Sequence, residues 1–363
     1  MTIAGQMISW YHQKKRDLPW RNTSDPYKIW VSEIILQQTR VAQGKAYYER
    51  FMNTFPDVKT LASAREEDVL LLWQGLGYYS RARNMHYAAR QVVNDFNEKF
   101  PSTYSDLLKL KGVGEYTAGA IASFAYNLPY PAIDGNVNRV ISRIFDISED
   151  IASKEGRKKI NKAVNEIMSA ENPGIFNQAI MEFGALQCVS KNPDCSVCPL
   201  KAVCASFASK TVHKRPVKAK KKKPVDRYLN YLVFEEKETG QVILQKRQNS
   251  KDIWYNLYEF PLIESKSPLT QEQIAADEML KKYATGNEVV IKPPHEPVKH
   301  LLSHQRLFVY FWKILLKGKL PDKETDYLIK TKEEELSRYP FPRLIAAYAE
   351  ENFEEYKKNE EKN

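Results

Sequence analysis

The chain has 363 residues, of which 43% are hydrophobic and 28% are charged. This length and composition allow two globular domains, and no segment reaches the roughly 20 apolar residues that a membrane-spanning helix needs. The formal net charge of +10 favours a polyanion as partner.

Up to about Phe207, apolar residues recur with the 3.6-residue period of helices. A first apolar face lies between Ile3 and Tyr11. Asp25-Pro26 then predicts a helix start, because aspartate caps helices and proline fits their first turn. Further helices are predicted over 70–74, 82–96, 104–109, 116–127, 137–145, 154–170 and 176–187. This part of the chain is therefore predicted to be mostly α.

Glu33 interrupts an apolar stretch of the helix that starts at Pro26. Most helical glutamates are solvated surface residues. Partial burial at this position would raise the pKa of Glu33 towards the range of a general acid. Glu33 is therefore a candidate catalytic residue.

Lys111, Gly112, Val113 and Gly114 lie between two predicted helices. Two glycines around one valine make a tight turn whose backbone N–H groups can converge on an anion, just before a helix N-terminus. Lys111 adds positive charge. An ordinary helix–helix turn is the alternative reading of an isolated Gly-x-Gly. The following residues 115–118 and the downstream cysteines favour a phosphate-binding hairpin.

Asp134 follows apolar residues and precedes a predicted helix. The usual role of an aspartate there is an N-cap. A carboxylate at a helix N-terminus also stays ionised, which suits a group that stabilises a developing cation. A poised acid and an ionised carboxylate together can cleave a glycosidic bond, so Glu33 and Asp134 form a candidate catalytic pair.

The cysteines of the chain are Cys188, Cys195, Cys198 and Cys204, within seventeen residues. Zinc sites usually offer two separated pairs of closely spaced ligands. A single Cys-x2-Cys with one distant thiol on each side suits a 4Fe-4S cluster better. Disulfides are disfavoured because the first residues do not resemble a secretory signal. The spacing therefore favours an iron–sulfur cluster, with zinc as the alternative.

Residues 213–225 are strongly basic and contain two prolines and the lysine run 220–223. Because such a segment cannot pack a core, we interpret it as an interdomain linker that can also lie along phosphates. A nuclear-address signal is the alternative.

Beyond the linker, two apolar stretches over 228–235 and 242–247 predict a strand pair. A helix is predicted over 271–283 and another strand over 306–315. A small α+β domain is therefore expected over 226–355, followed by a frayed, charged tail over 356–363.

The helix–hairpin–helix, the segment Ile133-Asp134-Gly135-Asn136-Val137 and the cysteine spacing together resemble the DNA glycosylase superfamily of endonuclease III. Within it the chain is similar to the A/G-specific adenine DNA glycosylases, through segments 16–21, 30–41 and 75–84. The resemblance implies a helix–hairpin–helix glycosylase domain with a 4Fe-4S loop over 1–212.

The C-terminal domain resembles, more loosely, the Nudix-like module of the same family, through 245–247 and 257–261. Residues 273–282 lack the glutamate-rich metal box of a working Nudix hydrolase. The resemblance therefore implies a lesion-recognition module and not a second enzyme.

The resemblance also implies catalytic roles. Asp134 would stabilise an oxocarbenium ion, and Glu33 would protonate the flipped adenine at N7 and then activate water. Asn136 would support the site, and Tyr116 would brace Asp134. Lyases of the superfamily have a Schiff-base lysine where Tyr116 stands, so a monofunctional enzyme is implied. Lys111 lies nearby in sequence and leaves weak lyase activity open.

Contacts with DNA are implied as well. Gln38 and Tyr78 correspond to residues that enter the duplex beside the lesion. The family reads the lesion with a Phe-Ser-His loop, which is Leu302-Ser303-His304 here, so apolar packing is kept and aromatic stacking is lost. The residues predicted to bind DNA are Gln38, Thr39, Tyr78, Lys111, Gly112, Val113, Gly114, Ser303 and His304.

The implied activity is base-excision repair by a monomer that hydrolyses the N-glycosidic bond of adenine mispaired with 8-oxoguanine or guanine in double-stranded DNA. The alternatives are an endonuclease III-like glycosylase/lyase acting on oxidised pyrimidines and an iron–sulfur DNA-binding protein without catalysis. We expect a cytoplasmic protein, associated with the nucleoid in a bacterium.

Overall fold

The structure, a computed structural model, divides the chain into two compact units. One comprises Met1–Ala64 and Arg83–Lys220, and the other comprises Arg65–Ala82 and Lys221–Asn363. Within these ranges the structure describes residues 1–219, 223–294, 296–320, 327–353 and 356.

The described helices are, in chain order, α1 (Ile3–Lys14), α2 (Pro26–Leu36), α3 (Val41–Thr54), α4 (Val58–Ser63), α5 (Glu66–Leu72), α6 (Ser80–Asp95), α7 (Tyr104–Leu107), α8 (Glu115–Tyr126), α9 (Gly135–Ile144), α10 (Lys154–Ile167), α11 (Pro173–Leu186), α12 (Ala205–Ala208), α13 (Gln271–Ala276), α14 (Glu278–Ala284) and α15 (Arg343–Asn352). The described strands are β1 (Val225–Glu236), β2 (Gln241–Lys246), β3 (Tyr258–Glu259), β4 (Leu262–Ser265), β5 (Glu288–Lys292), β6 (Val298–Leu301), β7 (Gln305–Lys317) and β8 (Leu328–Lys332). No described helix is long and apolar enough to cross a membrane.

The first unit is helical, as the apolar periodicity predicts. The carboxylate of Asp25 accepts the backbone N–H of Tyr27 at 2.9 Å, and Pro26 occupies the first turn, so α2 begins where the sequence places it. This helix is buried from Ile29 to Ile35. A second core forms where α1, α9, α10 and α11 pack through residues such as Met7, Val140 and Phe183. Burial of these apolar faces stabilises the helices that carry the polar cavity described below.

The predicted hairpin lies between α7 and α8. Gly112 adopts a φ of +79°, in the left-handed region that favours glycine. A Cβ at this position would lie 2.8 Å from the Cβ of Asn84, so the close approach of α6 also requires glycine. The helix–hairpin–helix is therefore confirmed.

The second unit contains a mixed sheet with the strand order β3-β2-β1-β7-β5. The long central strands β1 and β7 pair in parallel from Val225↔Gln305 to Glu236↔Leu316, and their neighbours pair antiparallel. One face packs against α15, and the other packs against α13 and α14. The α+β architecture predicted for this region is confirmed.

The domain boundary differs from the prediction. The sequence places residues 65–82 in a continuous first domain over 1–212. In the structure these residues pack with the second unit, where the hydroxyl of Tyr79 donates to the carbonyl of Phe341 at 3.0 Å.

Two further details of the second unit differ from the prediction. The predicted helix over 271–283 is two helices, because the side chain of Asp277 caps a new helix at the backbone N–H of Met279. Tyr356, predicted to begin a frayed tail, is buried; the rest of that tail, 357–363, lies outside the described residues.

The predicted linker also differs at its start. Arg215 forms an ion pair with Asp146 at 2.8 Å, and the backbone N–H of Ile151 donates to the carbonyl of Val217 at 3.2 Å. Residues 213–217 therefore pack on the first unit, because an arginine–carboxylate pair and a backbone bridge hold them there. The lysines 220–222 lie outside the described residues.

Candidate active site

A cavity of about 590 Å³ opens in the first unit, between residues of α2, α8, α9 and α11. Six of the residues predicted from the sequence line it together: Glu33, Gln38, Thr39, Tyr116, Asp134 and Asn136. Polar groups that converge in one concave site are the usual mark of a binding or catalytic pocket.

Glu33 lies in the buried part of α2, with 6% of its surface exposed. Burial, aided by the charge of Asp134, raises the pKa of Glu33 to about 7, although a hydrogen bond from Tyr116 and the charge of Arg21 oppose the shift. The hydroxyl of Tyr116 donates to Oε2 of Glu33 at 2.5 Å. Because Oε2 is an acceptor in that bond, Oε1 is the atom that carries the carboxyl proton. The sequence prediction of a poised acid agrees with this geometry.

Asp134 caps α9, as predicted. Its Oδ1 accepts the backbone N–H of Val137 at 2.7 Å, and its Oδ2 accepts from the side-chain amide of Asn136 at 2.7 Å. Burial raises the pKa of Asp134, and these two hydrogen bonds oppose the rise by stabilising the ionised form. Fixed N–H donors thus favour the ionised form of Asp134, whereas burial favours the protonated form of Glu33.

Tyr116 differs from the role that the resemblance implies. Its hydroxyl donates to Glu33 and not to Asp134, whose two oxygens already accept from α9. Burial, with the charges of both carboxyls, raises the pKa of Tyr116 well above its ordinary value. The hydroxyl therefore stays protonated and acts as a fixed donor to Glu33.

A cluster of three charged residues lines the same cavity and is absent from the sequence-based candidates. Glu182 on α11 has 1% of its surface exposed and accepts from both Arg16 and Arg21, with shortest distances of 2.6 Å and 2.7 Å. Glu182 interrupts an apolar helix just as Glu33 does, so the same sequence signal could have found it.

Arg139 links the cavity to the cysteine loop. Its Nη2 donates to Oδ1 of Asn136 at 2.8 Å, and its Nε donates to the carbonyl of Cys188 at 2.8 Å. The orientation of Asn136, and through it that of Asp134, is therefore tied to the first cysteine of the loop. The sequence carries no signal for this link, because an arginine at this point of a helix is ordinary.

The four cysteines line one small cavity and form no disulfide among the described residues. Burial raises the pKa of Cys198 to about 11, and the charges of the other three cysteines add to the shift. Arg143, itself buried, places Nη1 3.3 Å from the sulfur of Cys188 and donates to the carbonyl of Val189 at 2.7 Å. Four soft sulfur donors that line one cavity, with a cation beside one of them, fit an iron–sulfur cluster.

The hairpin presents backbone groups more than side chains. Lys111 is exposed, and its backbone N–H donates to Gln91 at 2.7 Å. Val113, predicted to bind DNA, has a buried side chain that packs in the protein, so any contact from it is through the backbone. Gly114 caps α8 without a side-chain hydrogen bond, which leaves the first turn of that helix suited to an anion.

In the second unit, Tyr78 and Ser303 lie together, which the sequence does not predict. Tyr78 is 47% exposed with a φ of +49°, and its hydroxyl lies 2.8 Å from that of Ser303. Leu302 packs against the core of this unit, whereas His304 is exposed and its carbonyl accepts from Val225 at 3.0 Å. The apolar residue that replaces the family's phenylalanine is therefore held by the protein core.

The chain is similar in sequence to known protein families and to individual proteins. Residues 31–166 match the family described as HhH-GPD superfamily base excision DNA repair protein, and residues 230–351 match a NUDIX domain. The chain is 36% identical over 307 residues to the adenine DNA glycosylase of Buchnera aphidicola subsp. Schizaphis graminum, with 84% of each chain covered. It is 43% identical over 211 residues to the adenine DNA glycosylase of Homo sapiens, with 56% of this chain and 39% of the human protein covered.

Among solved structures, a thermostable thymine-DNA glycosylase aligns with a TM-score of 0.53 and 26% sequence identity. The alignment covers 57% of this chain and 95% of that protein. This chain therefore shares part of its fold with a DNA glycosylase.

Proposed function

The chain belongs to the adenine DNA glycosylases of the helix–hairpin–helix superfamily, and from this premise we propose that it removes adenine paired with 8-oxoguanine or guanine, as a monofunctional enzyme. The observation that carries the proposal is the pair of carboxyls in one cavity, the buried Glu33 and the half-buried Asp134.

The proposed reaction begins when Glu33 protonates the flipped adenine. The C1′–N9 bond then breaks, its electron pair leaves with the base, and an oxocarbenium ion forms at C1′. Asp134, fixed by the N-terminus of α9 and by Asn136, faces this positive charge as a carboxylate. Water adds to C1′ and gives a proton to the Glu33 carboxylate, which restores the acid.

The absence of lyase chemistry is supported by the same cavity. Strand cleavage by a Schiff base needs an amine nucleophile. Among the described residues that line the cavity none is a lysine, and Tyr116 is bound to Glu33 as a hydrogen-bond donor. We therefore propose that the product is an abasic site in an intact strand.

Recognition of the opposite base is proposed to involve Tyr78 and Ser303. 8-Oxoguanine differs from guanine by a carbonyl at C8 and a hydrogen at N7, so a hydroxyl that both donates and accepts can distinguish the two. Tyr78 and Ser303 offer such hydroxyls 2.8 Å apart on an exposed surface. The exposed ring of Tyr78 is suited to enter a base stack.

The proposal is tested by single-turnover excision from duplexes containing A·8-oxoguanine, A·G, C·G or an oxidised pyrimidine. We expect excision of adenine from the first two and strand breaks only after alkali. The matched variant Ser303→Ala is expected to lower the A·8-oxoguanine over A·G rate ratio by about tenfold, since one discriminating hydrogen bond is lost. Excision confined to oxidised pyrimidines, or breaks without alkali, would contradict the proposal.

We also propose that Cys188, Cys195, Cys198 and Cys204 hold a 4Fe-4S cluster. All four cysteines line one small cavity, and among the described residues no group of three or more His, Cys, Asp or Glu side chains lies close enough together to hold a single metal ion. Such a cluster supplies a closed, four-ligand scaffold for the loop and takes no part in proton transfer.

Replacing Cys198 with serine is expected to remove iron and sulfide and to weaken duplex binding by about tenfold or more, because the loop loses its scaffold. Iron and sulfide analysis, visible absorbance and fluorescence anisotropy of labelled DNA measure these effects. Ser190→Ala, in the same loop but exposed, should retain the brown colour. A colourless zinc protein in the wild type would contradict the assignment.

A further inference from the structure

Glu182 is saturated with hydrogen bonds inside the cavity wall. Its Oε1 accepts from the backbone N–H of Arg16, from Nε of Arg16 and from Nη1 of Arg21, each at 2.9 Å. Its Oε2 accepts from Nη2 of Arg16 at 2.6 Å and from Nη2 of Arg21 at 2.7 Å. Two carboxylate oxygens offer about four lone-pair directions, so none remains for a substrate.

Arg16 and Arg21, in contrast, have N–H groups that are not used in hydrogen bonds to Glu182. A guanidinium has five N–H groups. Arg16 uses two of them on Glu182, and Arg21 uses two on Glu182 and one on the carbonyl of Arg16. Within the described residues the other N–H groups have no acceptor, and both arginines line the cavity. Adenine carries acceptor nitrogens on its edges, which such donors can bind.

The cluster of Arg16, Arg21 and Glu182 influences the pKa of Glu33 through the charge of Arg21. Burial works to raise the pKa of Glu182, but the hydrogen bonds from Arg21 and Arg16 outweigh it and hold the pKa at about 2. Glu182 is therefore an anion at every working pH and cancels one of the two positive charges. The groups that face Glu33 are Tyr116 on α8, Asp134 on α9 and Arg21 before α2, and the charge of Arg21 lowers the pKa of Glu33.

We propose that Glu182 is a positioning residue, which fixes Arg16 and Arg21 as donors to the flipped adenine and screens their charge from the catalytic acid Glu33. Without Glu182, two unpaired guanidinium groups would repel each other and leave their donor positions. The field of Arg21 at Glu33 would also be uncompensated, so Glu33 would lose its proton at lower pH. The inference deepens the proposed function and rests on Glu33 as the acid.

The test is the pH dependence of single-turnover excision from an A·8-oxoguanine duplex. In Glu182→Gln we expect the fall in rate on the alkaline side to move by about one pH unit to lower pH, so that the loss is about fivefold larger at pH 8 than at pH 6. Glu182→Asp keeps the charge and should return the alkaline limb to its wild-type position. Affinity for a duplex containing non-cleavable 2′-fluoro-2′-deoxyadenosine should fall in Glu182→Gln, because the donors are misplaced.

A second variant is expected to shift the alkaline limb in the opposite direction. Arg21→Gln removes the positive charge that lowers the pKa of Glu33 and leaves Glu182 ionised, so the alkaline limb should move to higher pH. Glu182→Gln breaks a buried ion pair and can unfold below the assay temperature, which circular dichroism detects. In that case the second variant still tests the proposal. Glu149→Gln, an ion-pair variant outside the cavity, is the matched control and should leave the limb in place.

Two failures can be distinguished. A wild-type profile without an alkaline limb near pH 7 would contradict the role of Glu33 itself. A limb that stays at its wild-type position in both Glu182→Gln and Arg21→Gln, with a uniform loss of rate at all pH values, would overturn the positioning role of Glu182 alone.

Discussion

Replacing Asp134 with asparagine is expected to slow adenine excision by about 10³-fold or more, because the charge that faces the oxocarbenium ion is lost. The backbone should be unaffected, since asparagine is as good an N-cap as aspartate and its oxygen can still accept from Val137. Single-turnover kinetics on the A·8-oxoguanine duplex measure the rate. Binding to the same duplex, measured by anisotropy, should stay within about threefold of the wild type, because the fold is kept.

The matched control is Asp57→Asn, which replaces the N-cap of α4, outside the cavity. It changes the same side chain in the same helical position and should leave excision unchanged. A protein that binds DNA without catalysis would show no excision in the wild type either. Undiminished excision in Asp134→Asn would remove Asp134 from the mechanism.

Replacing Glu33 with glutamine is expected to act on activity and on stability in opposite directions. Loss of the acid should lower excision by about 10²- to 10⁴-fold and abolish the alkaline limb near pH 7. The amide oxygen of the new side chain would still accept from Tyr116, so the pocket is retained. Rates between pH 5 and pH 9 test this part of the prediction.

The effect on stability follows from the raised pKa of Glu33, which is about 7 in the folded chain against 4.5 for an ordinary glutamate. Between these values the folded state binds more protons than the unfolded state, so the free energy of unfolding falls as pH rises. The loss is complete above about pH 7 and amounts to about 3 kcal/mol. Glu33→Gln should therefore melt at a higher temperature than the wild type at pH 8, with little difference at pH 5.

Thermal melts at both pH values, followed by circular dichroism, measure this difference. Glu49→Gln, on the exposed face of α3, should change the melting temperature little at either pH. Equal or lower stability of Glu33→Gln at pH 8 would show that burial of this carboxyl does not strain the fold.

Much of the helical unit could be predicted because its signals are local. The start of α2 depends on Asp25 and Pro26, which are adjacent, and the turn before α8 depends on glycine chemistry within four residues. Glu33 and Asp134 can be identified from the sequence for the same reason. An acidic residue within an apolar helix and an acidic residue just before a helix are both recognised from a few neighbouring residues.

The remaining parts depend on partners that are distant in sequence. Glu182 meets arginines 161 and 166 positions away, and Tyr78 meets Ser303 across 225 positions. No local pattern specifies such pairs, because packing brings them together only in the folded chain. The hydrogen-bond partner of Tyr116 cannot be predicted for the same reason, because this bond joins α8 to α2.

Because residues 65–82 pack with the second unit, proteolytic cleavage between the two units does not separate them cleanly. The chain passes from one unit to the other at three points, after Ala64, after Ala82 and near Lys220. A protease that cleaves the basic segment severs only one of these connections, and residues 65–82 remain packed on the sheet-containing unit through Gln74 and Tyr79. The two products of such a cut thus stay associated, and neither is a self-contained domain.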